Sequence, residues 1–182
     1  MLFKGKKYPS YVYVGSEQIW QETDFTIGGT KIHSPSDIRD WIEKRREEIY
    51  HRMITATFII NEKGDFVVSG RHTEHVMCAQ GQNVLSAGEV VFALDGREVY
   101  ITEISNQSTG YCPRPTSWPI VDYVLRNLGI DYPAYFTSAF EFRYCTHCEN
   151  INLIKDNLFQ CGVCSADLDL EWNFDQKTGK EK

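Results

Sequence analysis

Four of the six cysteines occur as two closely spaced pairs near the end of the chain, in "CTHC" and "CGVC" with twelve residues between them. Four thiolates complete the tetrahedral coordination of a structural zinc ion. Most of the intervening segment, "INLIKDNLFQ", suits a hairpin that turns at Asp156-Asn157 and brings the pairs together. The spacing therefore predicts a zinc ribbon with a structural Zn²⁺ ion held by Cys145, Cys148, Cys161 and Cys164.

Other roles for these cysteine pairs are less well supported. A dithiol redox site uses one C-x-x-C beside the start of a helix, not two pairs in successive hairpins. His147 offers an alternative ligand, but it lies inside the first pair. A catalytic zinc ion needs an open coordination position, which four cysteines deny. We therefore expect the metal to stabilise the fold, with Cys78 and Cys112 as free thiols.

The chain before the cysteines alternates between helical and strand patterns. One helix is predicted in "SPSDIRDWIEKRREEIYHRM", where Ser34 caps the start and an apolar stripe continues to Ile49. Another is predicted in "TSWPIVDYVLRNLG", with Thr116 or Ser117 as cap and Gly129 as stop. Two hairpins lie between them, in "ITATFIINEKGDFVVSG" and "GEVVFALDGREVYITEISN". This order predicts an α+β fold with a mostly antiparallel sheet and two main helices.

Three parts of the chain follow from these patterns. We expect an α+β domain at 1–140 and the zinc ribbon at 141–174, with a strand in "FTSAFEFRY" that leads into the cysteines. The last part, "DQKTGKEK" at 175–182, is polar throughout. It is predicted to be a disordered tail.

The second hairpin contains Asp95-Gly96, a pair typical of two-residue type I′ turns. Counting back from this turn opposes Leu94 to Arg97, Val90 to Ile101, Glu89 to Thr102, and Ser86 to Ser105. The apolar face between Val90 and Ile101 is then predicted to be core. Glu89, Thr102 and Asn106 share the opposite face, at the end of the hairpin far from its turn.

The hairpin ends in a polar run, "ISNQSTGYCP" at 104–113, which is an unusual way for a strand to end. A carboxylate, an amide, hydroxyls and a phenol converge there on the predicted register. The candidates for catalysis or ligand binding are His75, Glu89, Asn106, Ser108 and Tyr111. The alternative is that Asn106, Ser108 and Gly110 only form the turn and cap the next helix.

The segment "RHTEH" runs towards the same edge and brings His72, Glu74 or His75 near Glu89. An imidazole at such a place titrates near neutral pH and can serve as a general base or acid. The alternative is that both histidines are ordinary surface residues.

Charge and hydropathy limit the partners. The formal net charge is −6, which argues against a chain-wide field that gathers nucleic acid or anionic membrane. From Glu141 onward there are eight acidic residues against five basic ones, and a Zn(Cys)₄ centre adds negative charge. No run of signal-peptide or membrane-spanning length occurs. We expect a cytoplasmic protein that binds a protein or a small polar ligand, with nucleic acid unlikely as partner and no membrane.

Two resemblances bear on these expectations. The pattern "NVLSAGEV…DGREVYITEISNQSTGY" resembles a segment of the plant calmodulin-binding IQ-motif family and of assorted bacterial proteins, with Ala87-Gly88 and Tyr111 as the best matches. Ser108-Thr109-Gly110 departs from that family's serine-glycine-histidine order, and its calmodulin-binding part has no counterpart here. The whole layout, including "SNQSTGYCP", "FRYCTHC" and "WNF", resembles a family of uncharacterised small bacterial proteins that end in a zinc ribbon. That resemblance implies a bacterial cytosolic protein and names no activity.

Three function classes remain open at this point. The first is an intracellular zinc-binding protein that acts as a binding or adaptor module through the polar edge at 86–111. The second is an enzyme, a transferase or hydrolase with His75 or Glu89 as general base. The third is a nucleic-acid-binding zinc ribbon, which the acidic balance disfavours. Motifs such as a nucleotide-binding glycine loop, an HExxH helix or a nucleophile elbow are absent from the sequence.

Overall fold

The computed structural model describes residues 2, 3 and 5–178, and the chain divides into two compact units, Met1–Ala139 and Phe140–Lys182. The helices and strands of the first unit are β1 (Leu2–Phe3), β2 (Lys6–Lys7), α1 (Glu17–Glu22), β3 (Thr30–Ile32), α2 (Pro35–Glu43), β4 (Met53–Asn61), β5 (Phe66–Gly70), α3 (His75–Cys78), β6 (Val84–Asp95), β7 (Glu98–Ile104) and α4 (Trp118–Leu128). Short 3₁₀ helices lie at Arg46–Glu48 and Pro115–Ser117.

A five-stranded antiparallel sheet forms the first unit, in the order β3-β5-β4-β6-β7. Both predicted hairpins are present, as β4-β5 and β6-β7. The longest helices, α2 and α4, pack their apolar sides into one core with the inner face of the sheet. The predicted α+β class with two main helices is therefore confirmed.

The helix ends follow the sequence signals in part. The Ser34 hydroxyl accepts a hydrogen bond from the backbone N–H of Asp37 at 3.3 Å and caps α2, as predicted. This helix ends at Glu43 and does not continue to Ile49, which packs against the core after the 3₁₀ turn. Helix α4 ends as expected before Gly129, whose φ of +68° suits glycine. No hydroxyl caps its start, because a 3₁₀ turn leads into the helix.

The predicted register of the β6-β7 hairpin is wrong. Asp95 pairs with Glu98, so Gly96 and Arg97 form the loop, and Leu94 faces Val99 rather than Arg97. A type I′ turn needs positive φ at both loop residues, whereas here Gly96 has φ +59° at the first loop position and Arg97 is not in that region. The shift moves each partner by two residues, so the apolar face of the hairpin still lies in the core.

A bulge changes the faces further along β7. Phe92 pairs with Ile101 but Val91 pairs with Glu103, which leaves Thr102 without an opposed residue. One extra residue exchanges the two faces for everything that follows it. Glu103 therefore takes the outer face, and Asn106 turns inward and is fully buried. The expectation that Glu89, Thr102 and Asn106 share one face fails for this reason.

The outer face of the sheet is covered over only part of its area. Helix α3 packs against β4 and β5 and buries Thr57 and Ile59 on that face. The Thr57 hydroxyl donates to the backbone carbonyl of Thr73 at 3.1 Å, which holds the segment before α3 on the sheet. Two residues further back on β4, Thr55 remains partly exposed, as does Val91 opposite it. The outer face of the sheet around Thr55 and Val91 is therefore open to solvent and accessible to a ligand.

The second unit contains β8 (Glu141–Tyr144), β9 (Ile151–Ile154) and α5 (Phe174–Thr178). The buried Arg143 side chain donates to the backbone carbonyls of Asp169 and Leu170 at 3.0 and 2.6 Å, and this fixes the last loop to β8. Helix α5 covers residues 175–178 of the segment that we expected to be a disordered tail, while 179–182 lie outside the described residues. Among the described helices of both units, none combines the length and apolar composition of a membrane span.

Candidate functional sites

The two cysteine pairs lie in loops of identical hydrogen bonding. In the first, the N–H of Cys145 donates to the carbonyl of Asn150 at 2.9 Å, and Glu149 donates back to Cys145 at 2.8 Å. In the second, Cys161 donates to Ala166 at 2.8 Å and Ser165 to Cys161 at 2.9 Å. Glu149 and Ser165, four residues after the first cysteine of each pair, both have φ of +61°. Each C-x-x-C segment thus closes its loop in the same way.

A hairpin brings the two loops together, as the sequence predicts. Asp156 and Asn157 have φ of +52° and +55°, the pair of positive values that defines a type I′ turn. The backbone N–H of Leu158 donates to the Lys155 carbonyl across this turn at 2.9 Å. The tight turn after β9 returns the chain so that the second cysteine pair reaches the first.

The four sulfur atoms converge. Those of Cys145, Cys148, Cys161 and Cys164 all lie within 4.8 Å of one another. The Sγ atoms of Cys145 and Cys164 are 3.6 Å apart, and those of Cys148 and Cys161 are 3.5 Å apart. A tetrahedron of Zn–S bonds of about 2.3 Å separates its sulfurs by about 3.8 Å, whereas a disulfide bond is about 2.0 Å long. The spacing fits a four-coordinate metal ion and not a disulfide.

Hydrogen-bond donors favour the thiolate form at two of the four cysteines. Backbone N–H groups of Cys164 and Val163 lower the pKa of the Cys161 thiol to about 6. The Asn150 side-chain amide lies 3.4 Å from the Cys148 sulfur and lowers the pKa of that thiol. At Cys164 the backbone N–H of Ala166 lowers the pKa, but desolvation and the other three cysteine side chains outweigh it and raise the pKa. Metal-bound cysteine is deprotonated, and hydrogen bonds of this kind orient such ligands. His147, in the first loop, is not part of the converging group among the described residues.

Most of the polar run at 104–113 is buried, and the side chains of its three candidate residues bond to backbone groups. The Asn106 amide donates to the carbonyl of Pro113 at 2.7 Å, and the Tyr111 hydroxyl donates to that of Gln82 at 2.8 Å. The Ser108 hydroxyl accepts from the N–H of Tyr111 at 3.3 Å. Burial raises the pKa of Tyr111. All three side chains serve as internal hydrogen-bond partners, and a ligand-binding or catalytic role for them stays a prediction.

The same hairpin needs glycine at one position. A Cβ atom added to Gly88 would lie 1.9 Å from the backbone carbonyl oxygen of Ser105. The chain leaving β7 therefore crosses β6 at a distance that only glycine permits. The Ser105 hydroxyl accepts a weak hydrogen bond from the N–H of Glu89 at 3.4 Å and ties the crossing together.

The His75 ring lies beside the residue that precedes Glu89, and its described hydrogen bond goes to a backbone group. Its Nε2 lies 3.0 Å from the carbonyl oxygen of Gly88. Although part of His75 remains exposed, desolvation around the ring lowers its pKa to about 4. The ring is therefore neutral at physiological pH. A role of His75 or Glu89 as general base stays a prediction.

A concave pocket of about 440 Å³ lies on the uncovered outer face of the sheet. We call it the sheet pocket, and it is lined by Glu48, Tyr50, Met53, Thr55, Arg71, His72, Val91 and Glu103. Of the residues that the sequence placed near the polar edge, His72 lines it, whereas His75, Asn106, Ser108 and Tyr111 do not. Sequence reasoning missed Glu103 because the bulge at Thr102 moves this residue to the outer face.

Comparisons of the chain with models of protein families, with curated proteins and with solved structures found no match.

Proposed function

We propose that this chain is a zinc-binding protein in which Cys145, Cys148, Cys161 and Cys164 hold one structural Zn²⁺ ion and the α+β unit acts as a binding module. The observation that carries the metal assignment is the convergence of four sulfur atoms within 4.8 Å. Four thiolate ligands are typical of structural zinc, and they leave no position for a substrate or an activated water. The ion would supply folding energy to the ribbon rather than take part in a reaction.

The binding role of the α+β unit is supported by the sheet pocket. Its volume lies in the range of small-molecule sites, roughly 300–1,000 Å³. The 86–111 stretch contributes Val91 and Glu103 to the lining, although none of the candidates His75, Glu89, Asn106, Ser108 and Tyr111 is part of it. We favour a protein or a small polar ligand as partner over an enzymatic role, because the pocket lining contains no described pair of nucleophile and oriented base.

The charge of the ribbon argues against a nucleic-acid partner. The eight acidic and five basic residues from Glu141 to the end of the chain give the wrong sign for phosphate contacts. A cytoplasmic location is proposed because the six described cysteines are all outside disulfide bonds, which suits a reducing compartment.

Elemental analysis of the purified chain tests the metal assignment. We expect about one zinc ion per chain, removed by a strong chelator and recovered when zinc is added back. Cobalt substitution should give the intense thiolate-to-metal absorption of a tetrahedral tetrathiolate site. Zinc below a tenth of the molar amount in reduced protein, with no cobalt spectrum after loading, would remove the proposal.

A further inference from the structure

The sheet pocket carries charges of opposite sign at its two ends. Arg71 and His72 follow the end of β5, while Glu103 lies on β7, at the other side of the sheet. Between them, Thr55, Val91 and Glu103 are direct neighbours in one row across β4, β6 and β7. Strands are about 4.8 Å apart, so β5 and β7 are separated by roughly 14 Å. The pocket thus has a cationic wall and an anionic wall with a strand floor between them.

The charges of Arg71 and Glu103 are not paired within the described fold. None of the described ion pairs includes Arg71, His72 or Glu103, and all three are exposed. Glu48, the other carboxylate of the lining, lies 3.8 Å from the guanidinium of Arg45, which itself rests on the Trp41 ring. Since Glu48 has a cation of its own, the wall at β5 retains the charge of Arg71. The strand positions of Arg71 and Glu103 are roughly 14 Å apart across the floor, which leaves room for a ligand between the two side chains.

The floor between the walls is mostly apolar. Val91 and Met53 supply aliphatic surface, and Tyr50 at the rim exposes 74% of its area. Thr55 adds a hydroxyl within the same row. Small-molecule sites combine such an apolar floor with a few polar groups that fix orientation. A ligand suited to this pocket is charged at both ends and apolar in the middle.

We propose that the sheet pocket binds a short zwitterionic peptide, with its carboxylate at Arg71 and His72 and its ammonium group at Glu103. An extended tripeptide spans up to about 10 Å, and the long side chains of Arg71 and Glu103 reach inward over the remaining distance. The central side chain of the peptide lies over Val91 and Met53. This inference rests on the binding role proposed for the α+β unit and names its ligand class.

The test uses the full zinc-loaded chain and three peptides that differ only in charge. Gly-Leu-Gly carries both charges, acetyl-Gly-Leu-Gly lacks the ammonium group, and Gly-Leu-Gly amide lacks the carboxylate. In an NMR titration, Gly-Leu-Gly should shift the amide signals of Thr55, Val91 and Glu103 and saturate within roughly 10 mM. Each capped peptide should bind about two- to fivefold more weakly, as expected for the loss of one exposed charge contact.

Two variants assign each end of the ligand. Arg71→Gln should remove the preference for the free carboxylate and keep the preference for the ammonium group, while Glu103→Gln should do the reverse. Lys63→Gln and Glu98→Gln are matched controls, because both residues are exposed and lie outside the pocket lining. All four variants should keep their zinc, so failure of peptide binding with normal zinc content leaves the metal assignment intact.

Three results would overturn the inference. The first is an absence of saturable shifts with Gly-Leu-Gly. The second is an acetylated peptide that binds as well as the free one, which would reduce the pocket to an anion site. The third is an equal loss of binding in the control variants, which would show that general surface charge attracts the peptide.

Discussion

The cysteine cluster and the polar run at 104–113 differ in how their side chains are used. In the cluster, four sulfur atoms from two separate loops point at one another within 4.8 Å. In the polar run, Asn106, Ser108 and Tyr111 each bond to a backbone group of the fold. Both stretches are conspicuous in the sequence as clusters of chemically capable residues. Convergence on a shared point suits the binding of a metal ion, whereas hydrogen bonds to separate backbone groups suit an internal support.

The difference arises from the sequence separation of the residues whose hydrogen bonds hold each arrangement. The cysteine loops depend on hydrogen bonds between residues four and five apart and on a local hairpin turn, so residue spacing determines the geometry. The polar run bonds to Gln82, which lies twenty-nine residues away from Tyr111, and it passes the backbone of Gly88. Its geometry depends on tertiary contacts that no local pattern encodes.

The largest expected effect is the loss of zinc and of folded structure when one cysteine of the cluster is replaced. Cys145→Ser should lose zinc and the dispersed amide signals of residues 140–178, because metal binding energy is folding energy in such sites. His147→Ala is the matched control, since this residue lies in the same loop outside the converging group. Zinc content and NMR spectra of the two variants provide the measurement. Equal loss of zinc in both variants would contradict the assignment of four cysteine ligands.

A second effect tests how tightly the polar run is built into the sheet. Gly88→Ala places a Cβ 1.9 Å from the Ser105 carbonyl oxygen, so the strands must separate. We expect a loss of about 3 kcal/mol or more in unfolding free energy, at the upper end of overpacking effects. Gly70→Ala is the control, because its Cβ would meet nothing closer than 3.8 Å. Denaturant unfolding should distinguish them, and similar midpoints would mean that the crossing at Gly88 is not close.

Much of the fold is predictable from sequence, and the failures have definite causes. Ser34, Gly129 and the Asp156-Asn157 turn act through local geometry, and all three behave as their residue types indicate. The predicted register of β6-β7 was wrong because the glycine of Asp95-Gly96 can take either the first or the second position of a two-residue loop, and here it takes the first. The sheet pocket was missed because it depends on which strands are neighbours and on a single bulged residue, Thr102.

A third, intermediate effect distinguishes support from site within the polar run. Asn106→Ala removes a buried donor and leaves the Pro113 carbonyl without that partner, so we expect a loss of about 1–3 kcal/mol in stability. Tyr111→Phe removes the hydroxyl that bonds to Gln82 and should cost about 1 kcal/mol. Gln107→Ala, at an exposed position of the same run, serves as control. Melting temperatures unchanged in both test variants would favour a ligand site instead.

The smallest effect at neutral pH concerns His75, beside the Gly88 crossing. Its folded-state pKa of about 4 lies below the ordinary value of 6.5, so the unfolded chain binds the proton more readily between these values. Burial of the neutral ring therefore adds its full share to the free energy of unfolding above pH 6.5, and this share is lost as the pH falls towards 4. His75→Gln should flatten the pH dependence of the unfolding midpoint in this window, while His51→Gln, at an exposed position, should leave it unchanged. The slope reports burial of the ring even if the histidine has no catalytic role. An unaltered slope in His75→Gln would mean that the imidazole is solvated and free to act as a base, which would strengthen the polar edge as a candidate for catalysis.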